Sequence, residues 1–266
     1  MSQVAPEELE QLRVALAPLI GASFSVLKLP RVILAAFEPS QIGTIAGTLL
    51  DACLPELHLL LPEDDLLKEV GLVKHEGLIG EREGYPDYKH EAGKRLELKL
   101  LYVDPVGVVM KKPPTPREPS ARLTQKVTVK NVVPETDVLM VVAYQLQPSS
   151  EQADLYSPTM IDIGLFPMIE CIRARDHRLT EGGGKWFGDY ETPAVLSKRG
   201  RAKVAKEIKP DYSAYGRKES EGYDLNEDTN FGKLKRIPYR PLQEFLRKHG
   251  AKCAVRGDYP KPWVMG

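Results

Sequence analysis

The sequence predicts an α/β protein, because segments with the period of a helix are interspersed along the chain with segments that alternate like strands. Residues 95–103 alternate charged and apolar side chains, and residues 137–147 are strongly apolar, so both are expected to be strands. Residues 125–133 are a further strand candidate, with Lys126, Thr128 and Lys130 alternating with valines. Apolar residues at helical spacing predict helices over 6–17, 40–53, 167–180 and 241–249.

The expected helices carry recognisable ends and buried faces. Leu9, Leu12 and Leu16 share one face of the first helix, and Ser40 is placed as the N-cap of the second. In that second helix Gly43 and Gly47 would allow another element to approach closely. The third helix is expected to bury Met168, Ile169 and Ile172, to turn Arg173, Arg175, His177 and Arg178 outward, and to end before the glycines at 182–184. The fourth begins with Pro241 and ends before Gly250.

Several segments between these elements are expected to be loops. Residues 111–120 are basic and rich in proline, and residues 212–230 are polar, so neither is expected to form regular structure. Residues 182–188 are expected to form a glycine-rich loop that carries Lys185 and two aromatic side chains. This loop lacks the GxxxxGK[ST] pattern of a phosphate-binding loop. It could enter a DNA groove, or it could be a glycine turn followed by a hydrophobic anchor.

Composition indicates a soluble globular protein. The 266 residues suffice for one large domain or two small ones, with 42% hydrophobic and 28% charged residues. Three isolated cysteines, Cys53, Cys171 and Cys253, form neither a CxxC pair nor an even framework. A zinc site or a disulfide scaffold is therefore not expected, and a reducing cytoplasm fits best. No stretch reaches the length of an apolar membrane span, and Glu7 and Glu8 argue against a signal peptide.

Charge is distributed unevenly along a chain whose net charge is zero. Residues 171–266 contain 21 Lys and Arg against 13 Asp and Glu, whereas the preceding 170 residues contain 16 against 24. Within the second half, residues 197–209 hold the densest basic run. Such asymmetry suggests that the second half binds a polyanion, although a solvated basic face would give the same pattern.

The most informative segment is a hairpin expected over residues 84–104. A tight turn centred on Ala92 places Asp87 opposite Glu97, at a Cβ separation of about 4.5–5.5 Å. The period of two keeps Arg95 and Lys99 on the same face as Glu97. The opposite face carries a set of apolar residues that could pack on a core: Tyr88, Leu96, Leu98 and Leu100.

Two facing carboxylates repel each other unless a positive charge lies between them or one of them is protonated. A hard divalent cation removes the conflict, and Mg²⁺ needs only one or two protein carboxylates because it keeps several waters. A lysine beside such a site can orient or deprotonate a water, or offset negative charge on a phosphate. These groups suit metal-assisted phosphodiester hydrolysis. The alternative is an ordinary solvated hairpin in which Glu97 pairs with Lys89 or Arg95.

The motif Pro86-Asp87, followed by Glu97-Leu98-Lys99, resembles the signature of the PD-(D/E)xK nuclease superfamily, and the chain looks most like a type II restriction endonuclease. The resemblance implies that Asp87, Glu97 and the main-chain carbonyl of Leu98 bind Mg²⁺, while Lys99 acts on the attacking water or the scissile phosphate. It implies a mixed sheet flanked by helices, with the motif hairpin at its centre. In many members an additional upstream acid completes the metal site, and four candidates compete here: Asp51, Glu56, Glu69 and Glu76.

These inferences combine into one hypothesis: a single nuclease domain over 1–266, with its catalytic hairpin at 84–104 and a basic half at 171–266 that contacts DNA. The enzyme would be a Mg²⁺-dependent restriction endonuclease of the prokaryotic cytoplasm, and many such enzymes are homodimers. The expected DNA contacts are Lys185, Lys198, Arg199, Arg201 and Lys203. The alternatives are a repair or recombination nuclease that reads DNA structure, a nucleic-acid-binding protein without catalysis, and a protein-interaction domain.

Overall fold

The computed structural model describes residues 3–23, 27–39, 41–46, 70–75, 85–104, 107–111, 121–123, 127, 129, 132–149, 152–181, 185–187, 190–194 and 232–250. The chain divides into two compact units. The first comprises Met1–Ala121 and Pro134–Pro167, and the second comprises Arg122–Val133 and Met168–Gly266. The expectation of one nuclease domain over the whole chain stays a prediction. Ser40 lies outside the described residues, and so do residues 47–53 of the second expected helix, residues 112–120 of the proline-rich loop, the basic run 197–209 and the polar loop 212–230.

The first unit is built on a six-stranded sheet. Its strands are β1 (Leu29–Pro30), β2 (Leu72–Lys74), β3 (Tyr88–His90), β4 (Arg95–Val103), β5 (Asp137–Pro148) and β6 (Leu155–Pro167). The strand order is β1-β6-β5-β4-β3-β2. Strands β4 and β5 pair in parallel, whereas the other neighbours pair antiparallel. The sheet is therefore mixed and helices accompany it, which confirms the predicted class.

The strong apolar patterns predict β4 and β5 well, but two other strand assignments differ. The 13-residue strand β6 was not expected, because Pro158 and Gly164 interrupt its apolar pattern. The strand expected over 125–133 is wrong for its described residues, since 127, 129, 132 and 133 lie outside strands. One reason is visible at Val127, whose carbonyl accepts a hydrogen bond from the Arg175 side chain at 2.9 Å. That carbonyl satisfies a buried guanidinium.

One face of the sheet packs against helix α1 (Pro6–Leu16). Leu12 and Leu16 of α1 are buried in the same cluster as Leu96 and Leu98 of β4, and Leu9 packs partly against it. The cluster also contains Tyr88 of β3 and three residues of β5, Val138, Met140 and Val142. The predicted apolar face of the hairpin is therefore confirmed as a core face. Its opposite face is the one that carries Arg95, Glu97 and Lys99.

A second cluster in this unit joins helix α2 (Arg31–Leu34) and the helical residues 41–46 to the ends of β5 and β6. Ile42 and Ala46 are buried there, as their spacing predicts, beside Tyr144. A Cβ placed on Gly43 would lie 2.9 Å from the Tyr144 hydroxyl. The close approach expected at Gly43 therefore exists, and the element that approaches it is strand β5 of the same chain, through the side chain of Tyr144.

The second unit contains helix α3 (Met168–Glu181), strands β7 (Lys185–Phe187) and β8 (Tyr190–Ala194), and helix α4 (Arg240–Lys248). Helix α3 buries Met168, Ile169 and Ile172 as predicted. Arg175 was expected to face outward but is fully buried, and its Nε donates to Asp176 Oδ1 at 2.7 Å. The fourth helix matches its prediction.

The glycine-rich loop expected over 182–188 is wrong at its described residues. Residues 185–187 form β7, which pairs antiparallel with β8. A bulge interrupts the pairing of this hairpin between Trp186 and Phe187. Across the described parts of both units, no helix is long and apolar enough to cross a bilayer.

Candidate active site

The hairpin has the register that the sequence predicts. Tyr88 pairs with Leu96 and Lys89 pairs with Arg95, so the same register sets Asp87 across from Glu97. The turn is closed by hydrogen bonds from the His90 amide to the Lys94 carbonyl at 2.8 Å and from the Gly93 amide to the His90 carbonyl at 2.8 Å. Gly93 has φ +77°, a left-handed conformation that glycine adopts without a steric cost. The turn chemistry thus fixes which side chains of the two strands face each other.

Asp87 is held at the beginning of the hairpin by contacts on both sides. Its carbonyl accepts a hydrogen bond from the His75 amide at 3.0 Å, directly after β2. Its carboxylate atom Oδ2 accepts a hydrogen bond from the Leu98 amide at 2.6 Å. A charge-assisted bond of this length is strong for a protein, so the Asp87 carboxylate is fixed against β4.

Three oxygen atoms surround the ammonium group of Lys99. Its Nζ donates to Glu97 Oε1 at 2.6 Å and to the Leu98 carbonyl at 2.8 Å, and it lies 4.0 Å from Asp87 Oδ2. The structure therefore brings oxygens of Asp87, Glu97 and Leu98 together around the ammonium group of Lys99. The oxygens are the ones that the nuclease resemblance assigns to a metal ion.

Burial distinguishes this group from an ordinary surface ion pair. Glu97 is only 4% exposed, while the side chains of Lys99 and Asp87 are 19% and 29% exposed. Glu97 is therefore not the solvated side chain that the solvated-hairpin alternative describes. On the neighbouring strand β5, Leu139 pairs with Glu97 and Val141 pairs with Lys99, and both of these apolar residues are fully buried. Charges in such surroundings interact more strongly than they do in water.

The donor set fits a hard divalent cation. Two carboxylates and one carbonyl lie around a common positive charge, and Mg²⁺ prefers oxygen ligands of these kinds. No cluster of three or more His, Cys, Asp or Glu side chains occurs among the described residues. Two carboxylates suffice when waters complete the shell. The four candidates for an additional acid, Asp51, Glu56, Glu69 and Glu76, lie outside the described residues.

A second charged group, centred on Asp137, adjoins the first. Asp137 begins β5, is fully buried and pairs in register with Arg95. Its Oδ2 accepts hydrogen bonds from the Tyr85 hydroxyl at 2.5 Å and from Arg95 Nη2 at 2.7 Å. Its Oδ1 accepts one from Thr136 Oγ1 at 2.9 Å and lies 2.7 Å from Arg95 Nε. No expectation from the sequence includes this group, although an Asp at the beginning of a strongly apolar strand is a signal that could have indicated it.

Tyr85 is affected by both groups. Burial raises the pKa of its phenol well above the ordinary value, and the negative charges of Asp137 and then Glu97 raise this pKa further. The hydroxyl therefore keeps its proton and donates to Asp137 at all physiological pH values. The guanidinium of Arg95 lies over the Tyr85 ring, 5.4 Å from its centroid.

Of the five residues expected to contact DNA, the structure describes only the backbone of Lys185. Lys185 lies in β7, so its backbone belongs to a strand and not to the expected loop. Lys198, Arg199, Arg201 and Lys203 lie outside the described residues.

Comparisons with protein-family models, with curated proteins and with solved structures give no match to this chain.

Proposed function

We propose that this chain is a Mg²⁺-dependent endonuclease that hydrolyses phosphodiester bonds of double-stranded DNA, as a sequence-specific type II restriction enzyme of the PD-(D/E)xK superfamily. The observation that carries the proposal is the convergence of oxygens from Asp87, Glu97 and Leu98 on the Lys99 ammonium. Burial of Glu97 supports it, because a structural hairpin has no need of a buried acid next to a second one.

Each residue has a distinct task in this proposal. Asp87, Glu97 and the Leu98 carbonyl would hold Mg²⁺, whose charge stabilises the charge that develops on the phosphate. The Leu98 amide orients the Asp87 carboxylate through its 2.6 Å hydrogen bond. Lys99 would either offset negative charge on the scissile phosphate or orient and deprotonate the attacking water.

The uneven charge of the chain supports DNA as the substrate. Residues 171–266 carry eight more basic than acidic residues, with 21 against 13. Contacts of Lys and Arg with phosphates would supply most of the affinity and make it sensitive to salt. The homodimer and the cytoplasmic location remain predictions, the first from the resemblance and the second from the cysteine pattern.

The test is cleavage of unmethylated plasmid and phage DNA by the wild-type protein in Mg²⁺ and in EDTA. Asp87→Ala, Glu97→Gln and Lys99→Ala should abolish cleavage. Glu91→Gln is the matched control, because Glu91 is an exposed acid in the turn of the same hairpin. DNA binding in Ca²⁺ should survive Asp87→Ala and Glu97→Gln, since those changes remove metal ligands and not DNA contacts.

The pattern of products separates the candidate functions. Discrete fragments that require Mg²⁺ and disappear in Asp87→Ala support a restriction enzyme, and end mapping then gives the recognition site. Cleavage that follows branched or flapped structure instead of sequence would replace it with a repair nuclease. Salt-sensitive DNA binding without cleavage of any substrate would favour a nucleic-acid-binding protein that has no catalytic activity. Absence of DNA affinity at low salt would contradict all of these.

A further inference from the structure

Asp137 is a fully buried carboxylate whose contacts extend in two directions. Tyr85 donates to it from the segment that precedes β3, and Arg95 donates to it from the first position of β4. A buried charge is costly unless it is paired and hydrogen-bonded, and these donors provide both. The 2.5 Å bond from the Tyr85 hydroxyl has the length of a charge-assisted O–H···O⁻ bond, so it holds Tyr85 against Asp137.

Both directions lead to the candidate metal site. Tyr85 precedes Asp87 by two residues, and Arg95 precedes Glu97 by two residues on the same face of β4. The guanidinium of Arg95 also lies over the Tyr85 ring, so the two donors to Asp137 contact each other. The position of Asp87 relative to Glu97 therefore depends on how Tyr85 and Arg95 are held together.

We propose that Asp137 is the positioning residue of the metal site, and that it acts through Tyr85 on Asp87 and through Arg95 on Glu97. The inference rests on the proposed function, because it concerns the same two metal ligands. Asp137 does not itself contact the metal or the substrate; it sets the spacing of the carboxylates that do. Outer-shell partners of metal ligands affect metal affinity or activity by roughly 10- to 100-fold, which is the range expected here.

The placement of the contacts explains why this role exceeds simple stabilisation. Tyr85 lies two residues before Asp87, and Arg95 lies two residues before Glu97 on β4. Loosening Tyr85 would therefore displace the segment that carries Asp87 relative to the strand that carries Glu97. Thr136 binds the same Asp137 carboxylate at 2.9 Å but supplies no metal ligand from its own segment. It provides the natural comparison.

The experiment compares Tyr85→Phe with Thr136→Val, because each removes one hydroxyl that donates to Asp137. Tyr144→Phe is a second control, since the Tyr144 hydroxyl has no hydrogen-bond partner among the described residues. Calorimetric titration of each full-length protein with Mn²⁺ and Mg²⁺ gives metal affinity without any need for turnover. The Mg²⁺ dependence of plasmid cleavage and the thermal midpoint are measured on the same samples.

The expected result is that Tyr85→Phe weakens metal binding about tenfold and raises the Mg²⁺ requirement for cleavage by a similar factor. Both controls should stay within about twofold of the wild-type protein, even where Thr136→Val lowers the thermal midpoint. Arg95→Lys keeps the charge but loses the two-pronged contact, so it should reproduce the Tyr85→Phe result and serves as the second variant.

Two failures can be told apart. If the wild-type protein binds Mg²⁺ and cleaves DNA while Tyr85→Phe and Arg95→Lys bind Mg²⁺ equally well, the positioning role is wrong and the proposed function stands. If Tyr85→Phe and Thr136→Val weaken binding equally, the effect is one of stability and the positioning role is again wrong. If the wild-type protein neither binds Mg²⁺ nor cleaves DNA, the proposed function fails and this inference falls with it.

Discussion

Replacing Lys99 with Met removes the ammonium group on which the candidate metal ligands converge. The methionine keeps much of the apolar stem of lysine, so the change is mainly electrostatic. The ammonium lies 2.6 Å from Glu97 Oε1 and 4.0 Å from Asp87 Oδ2, so its loss removes a positive charge close to both carboxylates, and Glu97 is only 4% exposed. We therefore expect a protein that is less stable than the wild type in EDTA and that regains part of this stability when a divalent cation binds between the carboxylates.

The magnitude follows from the geometry of the pair. The Lys99–Glu97 contact is 2.6 Å long, with side-chain exposures of 19% and 5%. Removing one partner of a fully buried ion pair costs about 3–5 kcal/mol. Since Lys99 is partly exposed, we expect the free energy of unfolding to fall by about 2–3 kcal/mol. The thermal unfolding midpoint of the first unit should then be lower by roughly 5–10 °C. A cation at about 100 times its dissociation constant stabilises either protein by about 2.7 kcal/mol, so the gap narrows to the extent that the variant, which lacks the competing ammonium, binds Mg²⁺ more tightly than the wild type.

The assay is thermal and urea unfolding of the wild-type protein, Lys99→Met and Lys89→Met, each in EDTA and in Mg²⁺. Lys89→Met is the matched control, because Lys89 is exposed on the neighbouring strand of the same hairpin. In EDTA only Lys99→Met should be strongly destabilised, and the gap from wild type should narrow in Mg²⁺. Equal stability of the two variants in EDTA, or a gap that Mg²⁺ leaves unchanged, would refute the reasoning.

Two further predictions concern residues outside the metal ligands. Gly43→Ala should destabilise the protein by about 1–3 kcal/mol in urea unfolding, because its Cβ would lie 2.9 Å from the Tyr144 hydroxyl. Tyr144→Phe removes that oxygen and should reduce the loss; an equal loss in both backgrounds would contradict the contact. Burial lowers the pKa of His90 below its ordinary value of 6.5, so the folded state binds fewer protons than the unfolded state. Stability should therefore fall as pH drops below about 6.5, and His90→Gln should flatten this dependence in unfolding curves at pH 7.5 and 5.5; an unchanged pH dependence in His90→Gln would contradict the assignment.

The parts of the fold that follow from local patterns are predictable from the sequence. The hairpin register depends on a period of two and on a tight turn near Ala92, so the pairing of Tyr88 with Leu96 could be worked out in advance. Strand β5 is apolar enough to identify without any tertiary information. The same local reasoning brings Asp87, Glu97 and Lys99 together, because all three lie within one hairpin.

Other features depend on partners distant in the sequence. Asp137 lies 52 residues from Tyr85 and 42 from Arg95, so no local pattern predicts that they share one hydrogen-bonded group. Arg175 looks like an exposed residue of α3 by its charge, yet it is buried because the carbonyl of Val127 and the carboxylate of Asp176 satisfy it. In both cases a polar side chain occupies an apolar environment through long-range pairing that the sequence pattern does not contain.

The most direct test of the central claim is plasmid cleavage by the wild-type protein and Asp87→Asn, each in Mg²⁺ and in EDTA. The asparagine can still accept the hydrogen bond from the Leu98 amide, so the change removes the charge of a metal ligand while keeping its hydrogen-bonded position. We expect Mg²⁺-dependent fragments from the wild-type protein and none from Asp87→Asn. Fragments from Asp87→Asn at the wild-type rate, or cleavage that persists in EDTA, would contradict it.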